Sequence, residues 1–265
     1  MKLSVKYWIP ASLLALFGFG QAGCNSGGGS IMLPDTTNPI TFTLNAQTKY
    51  QQNVLDTTGG TYGNDSINTA SIDTLTQILL VKGTAAYQGV SNVNMAVATH
   101  SKAGVTNDTT YMYQKSTGDF YTYNFGVETL NNNPFVSLAT GGQKFDIGWV
   151  LQVKMGASPG TGWIACDTGA QIKVLGNPMT LTIKDTATMM ADLTLTVGAE
   201  QVTVKHAVHS VTVSASGGLI HATTSIDTYV STKYGTVFNV IHSSQLQGAR
   251  TDRVPGVRKI MISHS

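Results

Sequence analysis

The sequence predicts an all-β or mainly β protein: a curved antiparallel sheet, either an open half-barrel or a β-sandwich, with at most one or two short helices. From residue 41 onward apolar residues recur with period two, and turn signals interrupt the chain about every 8 to 15 residues. Charged residues make up only 11% of the chain, which is less than half of the usual share. Threonine is abundant and suits a half-buried pleated surface, a composition typical of exported β proteins.

The clearest element is a β-hairpin over residues 109–125, TTYMYQKSTGDFYTYNF, with its turn at residues 116–119. Five aromatic residues share one parity within its two strands: Tyr111, Tyr113, Tyr121, Tyr123 and Phe125. They form either an aromatic wall that lines a ligand cleft or a cross-strand ladder that holds the hairpin together. The four tyrosines are therefore candidate ligand-binding residues.

Further strands follow in order along the chain. A second hairpin is predicted over residues 146–167, with Trp149 and Trp163 on either side of a turn at residues 156–160. The next segment, residues 170–213, contains three or four alternating runs. The remaining predicted strands are residues 219–230, 234–242 and 257–265. Residues 65–80 are the one ambiguous zone, where a short helix at Ser71–Leu80 is the alternative to a strand.

The chain opens with an export signal. Lys2 and Lys6 precede an apolar run over residues 7–19, and small residues follow. A membrane-spanning helix takes about 20 apolar residues, so this run is too short to span a bilayer. We expect a signal peptide at residues 1–23, a lipidated cysteine with a flexible tether at 24–40, and a single antiparallel β domain at 41–265.

The motif AGC at residues 22–24 resembles the lipobox of bacterial lipoproteins, and the polar run NSGGGS resembles the tether that follows an acylated cysteine. Gln21 departs from the family, which usually has an aliphatic residue there. The resemblance implies lipid attachment to Cys24 and, because position 25 is Asn rather than Asp, sorting to the outer membrane. The alternative is an ordinary signal-peptidase cut one residue earlier, which leaves Cys24 unmodified.

The sequence contains one other cysteine, Cys166. If Cys24 is acylated, Cys166 has no internal disulfide partner; if Cys24 is free, a Cys24–Cys166 disulfide can form in an oxidising periplasm. A catalytic role would need a group that stabilises the thiolate, and the neighbouring Asp167 would raise the pKa of the thiol instead. We expect Cys166 to be a small buried residue on a strand.

Several segments resemble, in the same order, bacterial envelope lipoproteins of uncharacterised function. They are VKGTAAYQGV, TTYMYQKSTGDFYTYNFG, GWVLQV with TGWIACD, VTVSASGGLIHATT and TYVSTKYGTVFNV. The resemblance covers residues 80–245 and implies a curved antiparallel sheet, an open half-barrel like that of the LolA/LolB lipoprotein carriers. It implies no catalytic residues.

Charge argues against nucleic-acid binding. The chain carries 16 Lys and Arg against 14 Asp and Glu, and Lys2 and Lys6 belong to the leader, so the mature chain is formally neutral. It has no basic excess to neutralise phosphates. The local basic cluster could meet an acidic head group or form a solvated loop and strand face; its members are Arg250, Arg253, Arg258 and Lys259.

Motifs for catalysis and metal binding are weak. A Gly-x-Ser-x-Gly pattern occurs at residues 156–160 (GASPG), but it lies in the turn between Trp149 and Trp163, and no helix is predicted to open after it, as a nucleophile elbow would need. There is no phosphate loop. His206 and His209 should face opposite sides of a strand, while His221 and His242 lie on other strands. The acidic residues are expected to be isolated in turns or at strand ends: Asp65, Asp73, Asp119, Glu128, Asp146, Asp185 and Glu200. We therefore expect no enzyme, no catalytic residue, no metal and no cofactor.

These observations favour a lipid-anchored protein of the bacterial envelope at the outer membrane. They do not distinguish the periplasmic from the surface face of that membrane. Its partners would be the membrane, through the lipid on Cys24, and an apolar or amphiphilic ligand or an envelope protein, bound without catalysis. The first alternative is a structural or adhesive cell-surface lipoprotein. The second is a hydrolase that uses an acid pair or a cluster of the histidines.

Overall fold

The computed structural model describes most of the chain after residue 38. The described residues are 39–58, 61–67, 75–101, 105–125, 146–174, 177–216, 220–248 and 252–265. The predicted leader, most of the predicted tether and Cys24 therefore lie outside the described residues.

The described part of the chain forms sixteen strands and no α-helix. The first eight strands are β1 (Gln47–Thr58), β2 (Thr61–Ile67), β3 (Leu75–Tyr87), β4 (Val90–Ser101), β5 (Val105–Gln114), β6 (Asp119–Tyr123), β7 (Trp149–Lys154) and β8 (Gly162–Val174). The others are β9 (Asn177–Met189), β10 (Leu193–Val197), β11 (Glu200–Ala215), β12 (Ile220–Ser231), β13 (Gly235–Ile241), β14 (Ser244–Gly248), β15 (Asp252–Val254) and β16 (Gly256–His264). The prediction of an all-β protein is confirmed.

All of these strands belong to one antiparallel sheet. Its main path runs β7-β6-β5-β4-β3-β1-β16-β13-β12-β11-β9-β8, and β2, β10, β14 and β15 pair beside this path. The sheet is nearly closed and barrel-shaped, which confirms the predicted curvature. β7 and β8 are the two ends of the path, so closure of the barrel depends on how these two strands meet.

β9 illustrates why the alternating segments become strands. Every second residue from Met179 to Met189 is buried, while Thr182 and Thr186 on the other face are exposed. Side chains in a strand point alternately to the two faces of the sheet, so period-two patterning places one set in the core. Burying that set supplies about 25 cal/mol per Å² of apolar surface.

The core has a larger and a smaller cluster. The larger cluster joins β4–β9 to β11–β13 and includes Phe120, Val150 and Leu181. The smaller cluster joins β11 to β1, β13 and β16, and its buried members are Tyr50, Val202, Val204, Val237 and Met261.

A segment before β1 bridges distant parts of the sheet. The backbone N–H of Thr41 donates to the carbonyl of Thr232, which follows β12, at 2.9 Å. The N–H of Ile40 donates to Oε1 of Gln114, on β5, at 2.7 Å. Five strands separate β5 from β12 along the path, so this segment crosses from one side of the barrel to the other.

The alternative of a short helix at Ser71–Leu80 is wrong for its described part. Residues 75–80 belong to β3, which pairs with β1 on one side and β4 on the other. Hydrogen bonding to two neighbouring strands outweighs the weak local preference of this segment. Residues 68–74 lie outside the described part.

The prediction of a second hairpin over residues 146–167 is also wrong. The two strands and the turn exist, but β7 pairs with β6 and β8 pairs with β9. Local turn signals locate the turn without determining which strands pair across it, because pairing depends on distant parts of the chain.

Candidate functional site

The four candidate tyrosines lie on one β-hairpin formed by β5 and β6. Its turn places Gly118 at φ +88°, a left-handed conformation that costs glycine little. Tyr113 pairs directly with Tyr121, and their rings stack with centroids 4.7 Å apart. Tyr111 and Tyr123 lie on the same face because residues two apart in a strand point the same way. The predicted hairpin and its shared parity are confirmed.

Two further aromatic residues join this face, Tyr87 from the end of β3 and Trp149 from β7. The ring of Tyr87 stacks on that of Tyr111 with centroids 3.6 Å apart. Trp149 meets Tyr113 edge to face at 4.8 Å and Tyr123 at 5.2 Å, an arrangement that aromatic quadrupoles favour. We call these six residues the aromatic cluster: Tyr87, Tyr111, Tyr113, Tyr121, Tyr123 and Trp149.

The aromatic cluster has a buried base and a half-exposed rim. Tyr121 is 4% exposed and Trp149 is 6% exposed, whereas the other four tyrosines are half-buried. The indole N–H of Trp149 donates to the carbonyl of Gln88 at 3.3 Å, so its polar atom has a partner. The rim therefore presents ring surface to solvent from a rigidly packed base.

The hydroxyls of Tyr113 and Tyr123 on the rim stay neutral. The hydroxyl of Tyr123 donates to Oδ2 of Asp146 at 3.0 Å. Burial, together with this hydrogen bond and the negative charge of Asp146, raises the pKa of Tyr123 well above its usual range. Burial likewise raises the pKa of Tyr113, helped by Tyr121. Such a surface can contact apolar matter with its rings and polar groups with its hydroxyls.

Cys166 lies on β8 and is 2% exposed, which confirms the prediction of a small buried residue on a strand. Its Sγ lies 3.9 Å from the carbonyl oxygen of Ile147.

His206 and His209 lie on opposite faces of β11, as their spacing predicts. Nε2 of His206 lies 2.7 Å from Oδ1 of Asp227. His242, just after β13, places its Nε2 2.7 Å from Oδ2 of the same carboxylate. Asp227 therefore bridges two imidazoles, a convergence that the sequence pattern did not predict.

The carboxyl of Asp227 has a pKa below its usual range. Burial acts to raise the pKa, but hydrogen bonds with His242 and His206 outweigh this effect. The two histidines approach different oxygens of one carboxylate, and no group of three His, Cys, Asp or Glu residues in the described ranges is arranged to hold a metal ion. The arrangement ties β11, β12 and the end of β13 together.

Asp227→Asn is expected to lower the free energy of unfolding at neutral pH by about 1–2 kcal/mol, because it weakens two charge-assisted hydrogen bonds. A carboxyl with a lowered pKa stabilises the fold above its unfolded-state pKa of about 3.9. That stabilisation is lost as the pH falls through the lower pKa of the folded state. Urea unfolding of wild type and variant should therefore give a stability difference that is full near pH 6 and shrinks below about pH 4.

Asp167→Asn is the matched control, because Asp167 is exposed on β8. This control should change stability little across the same pH range. A difference between wild type and Asp227→Asn that stayed constant down to pH 3 would contradict the assignment.

His209 and Asp185 form a second, fully buried pair. Nδ1 of His209 lies 3.0 Å from Oδ2 of Asp185, and Nε2 lies 2.8 Å from the carbonyl oxygen of Gln152. His209 is 0% and Asp185 3% exposed. The prediction that Asp185 sits isolated in a turn or at a strand end is wrong, because it lies inside β9 on the buried face. Both ring nitrogens face acceptors, so neither is directed at a nucleophile.

The remaining predicted residues do not converge in the described part. His221 is exposed on β12. Arg258 and Lys259 are neighbours in β16 and therefore face opposite sides; the guanidinium of Arg258 lies over the ring of Phe238 and the ammonium of Lys259 over that of Tyr50. The predicted basic cluster is thus divided, and the side chains of Arg250 and Arg253 lie outside the description.

Comparison with known proteins gives one weak likeness. A candidate lipoprotein from Parabacteroides distasonis ATCC 8503, solved by crystallography, is similar with a TM-score of 0.48 and 10% sequence identity, over 85% of this chain and 97% of that chain. A likeness of this degree establishes neither a shared fold nor a shared function. No protein-family model matches the chain, and no curated protein matches it.

Among the residues that the structure describes, no helix is both long enough and apolar enough to span a membrane.

Proposed function

We propose that this protein is exported to the bacterial envelope and anchored to the outer membrane by a lipid on Cys24. Its barrel-shaped sheet binds an apolar or amphiphilic ligand, or an envelope protein, without catalysing a reaction. The observation that carries the binding proposal is the half-exposed rim of the aromatic cluster. The likeness to lipoprotein carriers implied by the sequence belongs to the same proposal.

The leader supports the anchor. A basic start, an apolar run over residues 7–19 and the motif AGC at residues 22–24 are the parts that lipoprotein processing requires. A lipid-anchored domain needs a flexible linker between the anchor and the folded part. The Gly- and Ser-rich run at residues 25–30 suits that role.

The aromatic cluster supports binding. Aromatic side chains offer large contact areas at a low entropic cost, and a polar hydroxyl at the edge lets a tyrosine face water. The cross-strand stack of Tyr113 on Tyr121 is the ladder that holds the hairpin. The half-buried rings of Tyr87 and Tyr111 add a second stack that the hairpin alone does not need.

The surroundings of His209 support a role without catalysis. General-base catalysis needs a ring nitrogen within hydrogen-bond reach of the group that it deprotonates. Both ring nitrogens of His209 already face protein acceptors, the carboxylate of Asp185 and the backbone carbonyl of Gln152.

A disulfide to Cys166 is the alternative to acylation of Cys24. The sequence holds two cysteines, so an intramolecular bridge from Cys166 would use the thiol that acylation needs. The two fates exclude each other, yet both require export, because structural disulfides persist in oxidising compartments. The binding proposal is the same under either fate.

Tyr111→Ala tests the binding site. The probe is 1-anilinonaphthalene-8-sulfonate, a dye whose emission rises in apolar surroundings, added to protein that begins at residue 24. Losing the Tyr87–Tyr111 stack is expected to raise the Kd of the dye roughly 2- to 10-fold, because an aromatic contact contributes about 0.5–1.5 kcal/mol. Fluorescence titration gives the Kd directly.

Tyr229→Ala is the matched control. Tyr229 is also half-buried and stacks on His206 with centroids 4.3 Å apart, but it lies outside the aromatic cluster. The control should bind the dye like wild type. Equal Kd values for Tyr111→Ala, the control and wild type would refute the site.

A regular threonine face on β9 favours an adhesive role as the second candidate. Thr180, Thr182, Thr186 and Thr188 are all exposed on one face of the strand. Such a face can follow a polymer surface with hydroxyl and methyl groups. If adhesion is the function, Thr182→Lys with Thr186→Lys should release the protein from isolated cell-wall material, whereas Tyr111→Ala should not.

A further inference from the structure

One side of the short strand β10 is a free edge. Among the described strands, β10 pairs with β11 alone. β9 and β10 follow one another along the same side of β11, joined by residues 190–192. β8, the other neighbour of β9, begins at Gly162 opposite Thr188, so it ends short of β10. Within the described residues, the outer edge of β10 therefore has no neighbouring strand.

The turn between β10 and β11 decides which backbone groups of β10 face this edge. The turn has two residues and begins at Gly198, which has φ +60°, a left-handed conformation that suits such hairpins. Hydrogen bonding across a turn of this kind joins the flanking residues, here Val197 and Glu200. Hydrogen-bonded pairs alternate with non-hydrogen-bonded pairs along an antiparallel ladder. Thr194 and Thr196 therefore direct their N–H and C=O groups away from β11, toward the free edge.

The sequence of β10 offers no protection against pairing with another strand. It reads LTLTV and contains neither a charge nor a proline, the features that usually protect exposed edges. The acidic residues that flank it already have partners, because Asp192 lies 2.7 Å from Lys205 and Glu200 lies 2.7 Å from Lys233. An uncharged edge with outward N–H and C=O groups is a template for another strand.

Exposed apolar side chains lie at the same edge. Leu193, the first residue of β10, is 42% exposed, and Met190, just before the strand, is 40% exposed. Leu195 and Val197 are instead partly buried against the smaller core cluster, so they hold the hairpin on the barrel. Leu193 and Met190 keep apolar surface that a neighbouring strand would remove from water.

The order of residues in β10 fits a second copy of the same strand. If two copies run antiparallel about a two-fold axis at Leu195, Thr194 lies opposite the partner's Thr196, and Leu193 lies opposite the partner's Val197. Each threonine pair can then exchange both backbone hydrogen bonds, which satisfies the outward groups of both residues. A shift of one residue would place Thr194 opposite the partner's Leu195, whose N–H and C=O point back to its own β11.

We propose that β10 is a dimerisation edge, at which two copies of this chain join their sheets through an antiparallel β10–β10 pair. The interface is two-fold symmetric, like that of most homodimers, and both copies contribute the same strand. The hairpin tip of the partner subunit covers Leu193 and Met190. The aromatic cluster lies on β3, β5, β6 and β7, away from this edge, so the dimer does not depend on the proposed ligand binding.

Thr194→Lys combined with Thr196→Lys tests the edge by sedimentation equilibrium. The protein begins at residue 24 and is kept reduced, so that no disulfide links two copies. Wild type should show a reversible monomer–dimer equilibrium as its concentration is raised. In the variant, the proposed register places ammonium groups opposite one another in two cross-strand pairs, and like charges in that position destabilise the pairing. The Kd of the dimer should therefore rise roughly tenfold.

Gln201→Lys combined with Thr203→Lys is the matched control. Both residues are exposed on the same face of the same hairpin and the added charge is equal, but they belong to β11 and not to the free edge. The control should dimerise like wild type.

Thr194→Glu combined with Thr196→Glu adds a test by complementation. Like the lysine variant, this variant should dimerise weakly alone. A mixture of the two should form a heterodimer, because the register then places opposite charges across from one another.

Four results would each overturn the dimerisation edge. They are a wild type that stays monomeric at every concentration, which would leave the edge to an extended segment of a different protein; a lysine variant that dimerises like wild type; a control that loses the dimer to the same extent; and charged variants that do not associate when mixed. If the lysine variant does not fold, Thr194→Pro decides, because an edge strand tolerates a proline whose missing N–H faced outward. It should also raise the Kd of the dimer, and an unchanged Kd would overturn the proposal.

Discussion

Asp185→Leu is expected to lower the free energy of unfolding by about 3–5 kcal/mol, the usual loss when one partner of a buried pair is removed. The carboxylate lies 3.0 Å from the ring of His209, and both residues are shielded from water. Without it, Nδ1 of the imidazole is left buried with no acceptor. Urea unfolding followed by tryptophan fluorescence measures the loss.

Two further variants test whether the loss of stability comes from breaking the buried His209–Asp185 pair. Asp185→Leu combined with His209→Phe should recover part of the loss, because apolar residues in place of both partners leave no buried charge. Asp167→Leu makes the same change at an exposed position of the neighbouring strand and should change stability by about 0.5 kcal/mol or less. If Asp185→Leu costs no more than Asp167→Leu, the pair contributes nothing to stability.

Gly256→Ala is expected to be the most damaging glycine substitution among the described strands. A Cβ there would lie 2.5 Å from the carbonyl oxygen of Ile241 and 2.7 Å from the backbone nitrogen of Ser243. Both neighbours are backbone atoms, so β13 would have to move away from β16. Overpacking of this kind costs about 1–3 kcal/mol and sometimes more, and backbone atoms cannot relax by changing rotamer. Thermal unfolding should show a clearly lower Tm.

Gly169→Ala is the comparison. A Cβ at Gly169 would find its nearest atoms, on Leu181 and Thr180, at 3.8 Å, which is ordinary contact. This substitution should leave the Tm almost unchanged or raise it slightly, because alanine restricts the unfolded chain. Equal changes in Tm for the two substitutions would show that β13 and β16 do not approach each other as closely at Gly256 as the structure indicates.

Strand positions are the part of the fold that the sequence predicts well. Alternation in β9 and the paired tyrosines of the β5–β6 hairpin depend on neighbours within a few residues, so local patterning is sufficient. The same reasoning fails at Trp149 and Trp163, which flank an evident turn but lie on strands that do not pair. Which strands pair is decided by the whole sheet, whose path places β7 and β8 at opposite ends.

The candidate site likewise contains residues that local patterning predicts and residues that depend on distant strand pairing. The four tyrosines follow from parity within one hairpin. Tyr87 does not, because it reaches Tyr111 only through the order β3-β4-β5 and the bend after Tyr87.

The histidine partners depend on register between distant segments. Asp227 meets His206 because Val208 pairs with Asp227 in the β11–β12 ladder. A shift of one residue would move the carboxylate to the other face. Periodicity correctly separates His206 from His209, but it contains no information about which carboxylate each histidine meets.

The most direct test of the lipid anchor is mass spectrometry of the mature N-terminus, performed on protein purified from membranes without reducing agent. We expect a chain that begins at Cys24 and carries a lipid on that residue. A chain that begins at Gly23, with Cys24 unacylated and linked to Cys166, would contradict the lipid anchor and establish the exported, disulfide-bonded alternative.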